Sequence, residues 1–144
     1  METGVDHGVG ACILTAAILR NREEGFCGEY IGTDISRSAG QLLTGKYSEV
    51  GKILYGDSIE SLTILKQQIS LFINDSDHSS EYEYREYDSI KNKLAKQAII
   101  LGDNSHGSDS LARFSLENSR KFYFFKEVPK DHWYPGAGIG ASVE

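Results

Sequence analysis

A short apolar run that ends on an acid or amide and passes into a helix-forming segment recurs four times along this chain, and this recurrence constrains the fold most. Tyr30-Ile31-Gly32-Thr33-Asp34-Ile35 is followed by Ser36 and a helix expected through Leu43. Lys52-Ile53-Leu54-Tyr55-Gly56-Asp57 leads into Ser58–Gln67, where Ile59, Leu62 and Leu65 recur at helical spacing. Ile69–Asn74 exits through Asp75–Ser80 into a helix expected from about Glu81 to Lys96, with Ser80 and Glu83 at capping-box spacing and Tyr87, Ile90 and Leu94 as its inward stripe. Gln97–Gly102 closes on Asp103 and Asn104, ahead of a helix capped by Asp109 in which Leu111 and Phe114 point one way. Lys121–Lys126 reads as a late strand, and Gly136–Ser142 as a turn entering a return strand. Strands alternating with helices predict an α/β fold with a mostly parallel sheet.

Ahead of these units, Val9–Arg20 is apolar on nearly every side, which predicts a helix buried against the sheet and approached through Gly8 and Gly10. The chain has 144 residues, 40% of them hydrophobic, enough for one core, and no linker or repeat divides it, so residues 1–144 read as one domain. Its apolar runs fall far short of the ~20 residues that cross a bilayer. Met1-Glu2-Thr3-Gly4-Val5-Asp6 has no secretory pattern, so a cytoplasmic location is expected. Cys12 and Cys27 are too few and scattered for a disulfide framework or thiolate metal cluster. A formal charge of −6 argues against nucleic acid and anionic membranes as partners.

In open α/β sheets, ligands bind outside the carboxyl ends of the strands. Here those tips carry Asp34, Asp57-Ser58, Asp75-Ser76-Asp77-His78 and Asp103-Asn104, which a shared cleft explains better than separate surface turns. Gly4-Val5-Asp6-His7-Gly8-Val9-Gly10 before a helix has the shape of a phosphate or nucleoside loop, since glycines admit a ligand close to backbone. Asp34 stands where an acid accepts ribose hydroxyls, and also where one caps a helix. Asp75, Asp77, Asp103 and Asn104 offer hard oxygen donors suited to Mg²⁺ or Mn²⁺; acids near helix starts also complement helix dipoles. A neutral His78 three residues after Asp75 suits a general base, or a structural or solvent-facing histidine. Glu81, Glu83, Glu86 and Asp88 read mainly as a solvated helix face. Tyr82, Tyr84 and Tyr87 cannot all face the core. His106 and the aromatic turn His132-Trp133-Tyr134-Pro135-Gly136 suit either an acceptor wall or a packed turn.

These motifs resemble those of class I S-adenosylmethionine-dependent methyltransferases, and among them the metal-dependent sugar O-methyltransferases of macrolide and polysaccharide (antibiotic and polymer) biosynthesis, the mycinamicin and tylosin type. Glu2-Thr3-Gly4-Val5-Asp6-His7-Gly8-Val9-Gly10 looks like the motif that cradles the methionine part of the cofactor, Asp34 like the ribose-binding acid, and Gly56-Asp57-Ser58 like the segment bordering adenine. Phe72–His78 and Leu101–Asn104 resemble paired acidic motifs that hold magnesium. The resemblance implies cofactor contacts from Glu2, Gly4, Gly8, Asp34, Asp57, Ser58 and Asp75. It implies metal ligands Asp75, Asp103 and Asn104, with His78 as general base and Asp77 orienting His78 or a metal-bound water. It further implies a Rossmann-like three-layer sandwich with strand order 3-2-1-4-5-7-6 and an antiparallel seventh strand, a small glycoside or sugar acceptor, and homo-oligomers.

Relatives carry an entire strand before the motif that begins at Glu2, whereas only Met1 precedes Glu2 here. The first strand is therefore expected to be lacking, and the domain to be N-terminally truncated relative to the family. Two other functions fit the residues: a truncated, non-catalytic scaffold or partner-binding domain, and another nucleotide-cofactor enzyme such as an NAD-binding oxidoreductase. A family relative that hydroxylates a β-lactam nucleus shares the magnesium pattern.

Overall fold

The computed structural model describes residues 1–134 and 136–144 in two compact units, Met1–Ser61 and Leu62–Glu144. Among the described residues no helix is long and apolar enough to cross a membrane.

In the first unit, β1 (Glu2–Thr3), β2 (Tyr30–Asp34) and β3 (Gly51–Tyr55) are parallel, in the order β3-β2-β1. The strand expected to be lacking is represented by two residues: Glu2 lies opposite Gly32 and Thr3 opposite Thr33. Two residues suffice here because the pairing continues into the loop, where Gly4 N–H donates to the Thr33 carbonyl at 2.9 Å. Helix α1 (Val9–Glu23) covers a small core in which Val5, Ala11 and Tyr30 are buried against Leu14, Ile18, Leu43 and Ile53. It is not buried on nearly every side as expected: Ala11 and Thr15 face inward, while Val9 and Ile13 are 58% and 65% exposed. A helix on one face of a sheet needs only one apolar stripe, and here the remainder faces solvent.

The helix expected over residues 36–43 is a series of turns. Its donors have partners other than the i−4 carbonyls a helix requires. Ser36 N–H goes to Asp34 Oδ1 at 2.8 Å, Gly40 N–H to the Asp6 carbonyl at 2.6 Å and Leu42 N–H to the His7 carbonyl at 3.1 Å. Competition from side chain and loop overrides weak helix propensity.

In the second unit, β4 (Ile69–Asn74) and β5 (Leu94–Gly102) are parallel, and β7 (Gly138–Val143) runs antiparallel to both β5 and β6 (Lys121–Lys126), giving the order β4-β5-β7-β6. Helices α3 (Ser80–Ile90) and α4 (Ser110–Glu117) belong to this unit, and α2 (Ser58–Ile64) ends in it. The core centres on Tyr87, whose ring lies edge-on to Phe72 at 6.2 Å and tilted against Phe114 at 5.7 Å, all three buried. Burying each such side chain stabilises by roughly 1.5–3 kcal/mol. The expected helix to Lys96 stops at Ile90, because a 3-10 turn, Lys91–Lys93, brings Leu94 into register with Ile69 on β4. Lys93 Nζ donates to the Leu62 and Thr63 carbonyls at the end of α2, the orphan acceptors a helix leaves there.

One capping expectation changes: Ser79, not Ser80, is the N-cap of α3. Asp109 is the N-cap of α4 as expected, though its side chain makes no cap hydrogen bond. Glu83, the expected partner of a capping box, points inward instead.

Candidate active site

The first unit carries the glycine loop. Gly8 caps α1 in a left-handed conformation, φ 93°, and its N–H donates to the Val5 carbonyl at 2.9 Å. A Cβ at this position would lie 3.1 Å from Gly40 Cα, so glycine is required by both conformation and close approach. Asp34 holds the same loop from the end of β2. Its Oδ2 accepts the N–H groups of Val5 and Asp6, each at 3.0 Å, and Oδ1 accepts that of Ser36. A carboxylate has about four lone-pair positions, which leaves acceptor capacity on this half-buried side chain for a ligand hydroxyl. Glycine-shaped backbone and an accepting acid fit the donor pattern of a nucleoside cofactor.

The remaining sequence candidates in this unit have structural partners. Glu2 is buried and accepts a hydrogen bond from the Tyr30 hydroxyl. Burial, then the neighbouring Glu2 charge, holds the Tyr30 phenol well above its ordinary pKa. Gly10 leaves room for Glu2, since a Cβ there would lie 2.5 Å from Oε1. Gly4, with φ 79°, turns the chain out of β1. Asp57 Oδ1 accepts the Glu60 N–H at 2.9 Å, capping α2, and Ser58 is buried in the first turn. Gly56 N–H joins the end of β3 to the Asp34 carbonyl at 2.9 Å.

The second unit carries an acidic cluster. Asp75 follows β4 and Asp103 follows β5, and the strand ends are tied by Asp103 N–H donating to the Asn74 carbonyl at 2.9 Å. One ligand atom from each of Asp75, His78 and Asp103 lies within 4.8 Å of the others. His78 Nε2 is 3.8 Å from Asp75 Oδ1 and 3.4 Å from Asn104 Nδ2. Asn104, with φ 51°, donates Nδ2 to Asp103 Oδ2 at 2.7 Å, so its amide nitrogen rather than its oxygen faces the cluster. Two carboxylates beside an imidazole are a donor set that fits a divalent cation. Asp77 stands apart: Oδ1 accepts the Ser79 N–H at 2.8 Å, and these hydrogen bonds from Ser79 hold its carboxyl below the ordinary range.

Two acids on α3 are buried, against the expectation of a solvated face. Glu83 and Glu86 are 2% and 0% exposed, not part of a solvated face. Glu86 accepts hydrogen bonds from Asn74 Nδ2 and from Ser76 Oγ at 2.9 Å, bracing the end of β4 and the start of the acidic loop. Glu83 Oε1 lies 3.9 Å from His78 Nδ1. Burial raises the Glu83 pKa, opposed by hydrogen bonds with Ser108 and Ser110 and by His78. The signal was available: Glu83, Glu86, Tyr87 and Ile90 share the i, i+3, i+4, i+7 stripe that faces the core. Of the three tyrosines, Tyr87 is buried, while Tyr84 lies under the Arg113 guanidinium at 3.7 Å and donates to Glu117.

Beside the loop that follows Asn104, a cavity of about 730 Å³ is lined by His106, Ser108, Phe122, Phe124, Lys126 and Tyr134, among others. Of the aromatic turn, Tyr134 contributes to this wall, whereas Trp133 is 87% exposed and stacks on His132 at 5.4 Å. Pro135 lies outside the described residues.

Comparison with known proteins bears on the fold. An O-methyltransferase from Bacillus cereus, solved with SAH, has a TM-score of 0.70 at 14% identity over 99% of this chain and 72% of its own. TomG, an O-methyltransferase of tomaymycin synthesis from Streptomyces achromogenes solved with SAM, gives 0.74 at 14% identity over 99% and 70%. A precorrin-6y C5,15-methyltransferase from Geobacter metallireducens gives 0.72 at 7% identity over 99% and 79%. No curated protein matches the sequence. The fold is the Rossmann-like α/β sandwich of class I methyltransferases, mostly parallel with an antiparallel last strand. Residues 1–105 match the family described as a methyltransferase domain, and the chain belongs to that family.

Proposed function

We propose that residues 1–144 form one catalytic domain that transfers a methyl group from S-adenosylmethionine to a hydroxyl of a sugar or glycoside, with magnesium at the acidic cluster. The observation that carries this reading is the convergence of Asp75, His78 and Asp103 from the ends of two parallel strands. A hydride-transferring enzyme has no need of such a cluster, which together with the family match favours methyl transfer over the nicotinamide reading.

The glycine loop and Asp34 bind and orient the cofactor, with Glu2 bracing the loop from beneath. Asp75 and Asp103 would hold the cation, and Asn104 would join them only by turning its amide oxygen toward it. When bound, magnesium lowers the pKa of a coordinated hydroxyl and fixes its direction. His78 Nε2 takes the hydroxyl proton. The acceptor oxygen then forms a bond to the methyl carbon as the S–C bond breaks, its electron pair returning to sulfur. Because a sulfonium methyl is already activated, the protein contributes mainly alignment and proton removal. The rings of Phe122, Phe124 and Tyr134 suit the apolar face of a sugar or its attached aglycone, and Ser108, His106 and Lys126 its hydroxyls.

Calorimetry with S-adenosylhomocysteine and with NAD, each with and without Mg²⁺, tests the cofactor. Binding of NAD alone would refute the proposal. Product mass with glycosylated acceptors tests the reaction; a chelator and the variants Asp103→Ala and His78→Ala should each lower turnover, and unaffected turnover would remove the metal or the base from the mechanism.

A further inference from the structure

We propose that Glu83 is a positioning residue for His78, accepting the imidazole Nδ1–H and so leaving the Nε2 lone pair on the side of Asp75 and Asn104. The value of that arrangement for proton transfer rests on the function proposed above; the arrangement itself does not.

The imidazole is bracketed. Nδ1 lies 3.9 Å from Glu83 Oε1, and Nε2 lies 3.8 Å from Asp75 Oδ1 and 3.4 Å from Asn104 Nδ2. Glu83 is held on the inward stripe of α3, its side chain 3% exposed, whereas the His78 side chain is 44% exposed and has room to turn. Small rotations about the His78 side-chain bonds therefore close the gap toward a fixed carboxylate. Active-site hydrogen bonds are commonly longer before ligands bind.

A carboxylate buried only for packing would be a costly substitute for the apolar residues that occupy the same stripe, Tyr87 and Ile90. Glu83 has instead a prepared setting. Ser108 and Ser110 stand beside it with their hydroxyl hydrogens committed elsewhere, Ser108 Oγ donating to Ser110 Oγ and Ser110 Oγ to the Ser80 carbonyl, both at 2.7 Å. The ion-pair partner the structure gives Glu83 is His78. Neutral imidazole has one donor and one acceptor nitrogen, so an acceptor at Nδ1 determines that Nε2 is the base. Free imidazole side chains prefer the opposite tautomer, with the proton on Nε2, so the arrangement leaves a distinctive signature. Ser108 also lines the cavity.

The test is the ¹⁵N–¹H correlation of histidine ring nitrogens in the full chain, without metal or cofactor, at about pH 8, where an ordinary imidazole is neutral. His78→Gln assigns its signal among the four histidines. The expected wild-type result is the Nδ1–H tautomer for His78. Glu83→Ala should return it to Nε2–H, while Glu83→Gln, which keeps a carbonyl oxygen, should largely retain Nδ1–H. A wild-type Nε2–H tautomer, or an unchanged tautomer in Glu83→Ala, overturns the proposal; if Glu83→Ala does not fold, the wild-type spectrum decides. In turnover, Glu83→Ala should lower kcat about 10- to 100-fold with acceptor KM little changed, and Glu83→Gln should recover most of it. Because the spectrum requires no catalysis, failure of the methyl-transfer reading and failure of this proposal remain separate results.

Discussion

Tyr30, at the start of β2, donates its hydroxyl hydrogen to the buried carboxylate of Glu2 on β1. Tyr30→Phe removes this donor from a buried acid and should cost about 1–3 kcal/mol at neutral pH. The pH dependence has a definite sign. The folded pKa of Tyr30 is raised above its unfolded value of about 10, so its contribution is full below about pH 10 and is lost as pH rises through the folded value. Urea unfolding between about pH 7 and 11 should show a shallower alkaline decline in Tyr30→Phe, with a residual slope from Tyr87, whose pKa is raised in the same direction by burial.

Gly8→Ala combines a positive φ with a Cβ contact on Gly40 backbone. It should destabilise the domain by about 1–2 kcal/mol and weaken S-adenosylhomocysteine binding roughly tenfold, measured by thermal unfolding and calorimetry.

Asp34→Ala deprives Val5, Asp6 and Ser36 of a charged acceptor. With roughly 1.5–3 kcal/mol per such hydrogen bond, the loop should lose its shape and S-adenosylhomocysteine affinity should fall about 10- to 100-fold in calorimetry. Asp34→Asn should recover part of the loss.

Glu86→Ala leaves the Asn74 amide and the Ser76 hydroxyl without their acceptor beneath the acidic loop. Denaturant unfolding should show a loss of about 2–4 kcal/mol, with a smaller one for Glu86→Gln.

Phe124→Ala removes an aromatic wall of the cavity from a side chain that is 42% exposed. Stability should change by less than about 1 kcal/mol, while acceptor KM in a methyl-transfer assay rises about three- to tenfold with kcat nearly unchanged.

Most strands were legible because their signals are local. Ile69–Asn74 and Lys121–Lys126 are strands with the expected boundaries, and Asp34, Asp75 and Asp103 stand at the strand ends where the ligand rule puts them. Residues 36–43 were not legible as turns. Asp34 takes the Ser36 N–H locally, while the Gly40 and Leu42 donors go to Asp6 and His7, partners far away in sequence whose positions follow from the fold. The apolar composition of Val9–Arg20 predicts more burial than the helix has, because composition reports apolarity and not which face is covered.

The sequence by itself determined the alternation of strands and helices, the glycine loop, the acids at the strand tips and a family resemblance carried by these motifs. Tertiary structure decided which polar groups spend their hydrogen-bonding capacity on the protein: Glu2 on Tyr30, Asp77 on Ser79, Glu86 on Asn74 and Ser76. It also gathered Asp75, His78 and Asp103 and set Glu83 behind the imidazole. The division has a physical cause. Backbone periodicity is encoded over a few neighbouring residues, whereas the burial of a charge and the choice of its partner depend on elements brought together only by the folded chain.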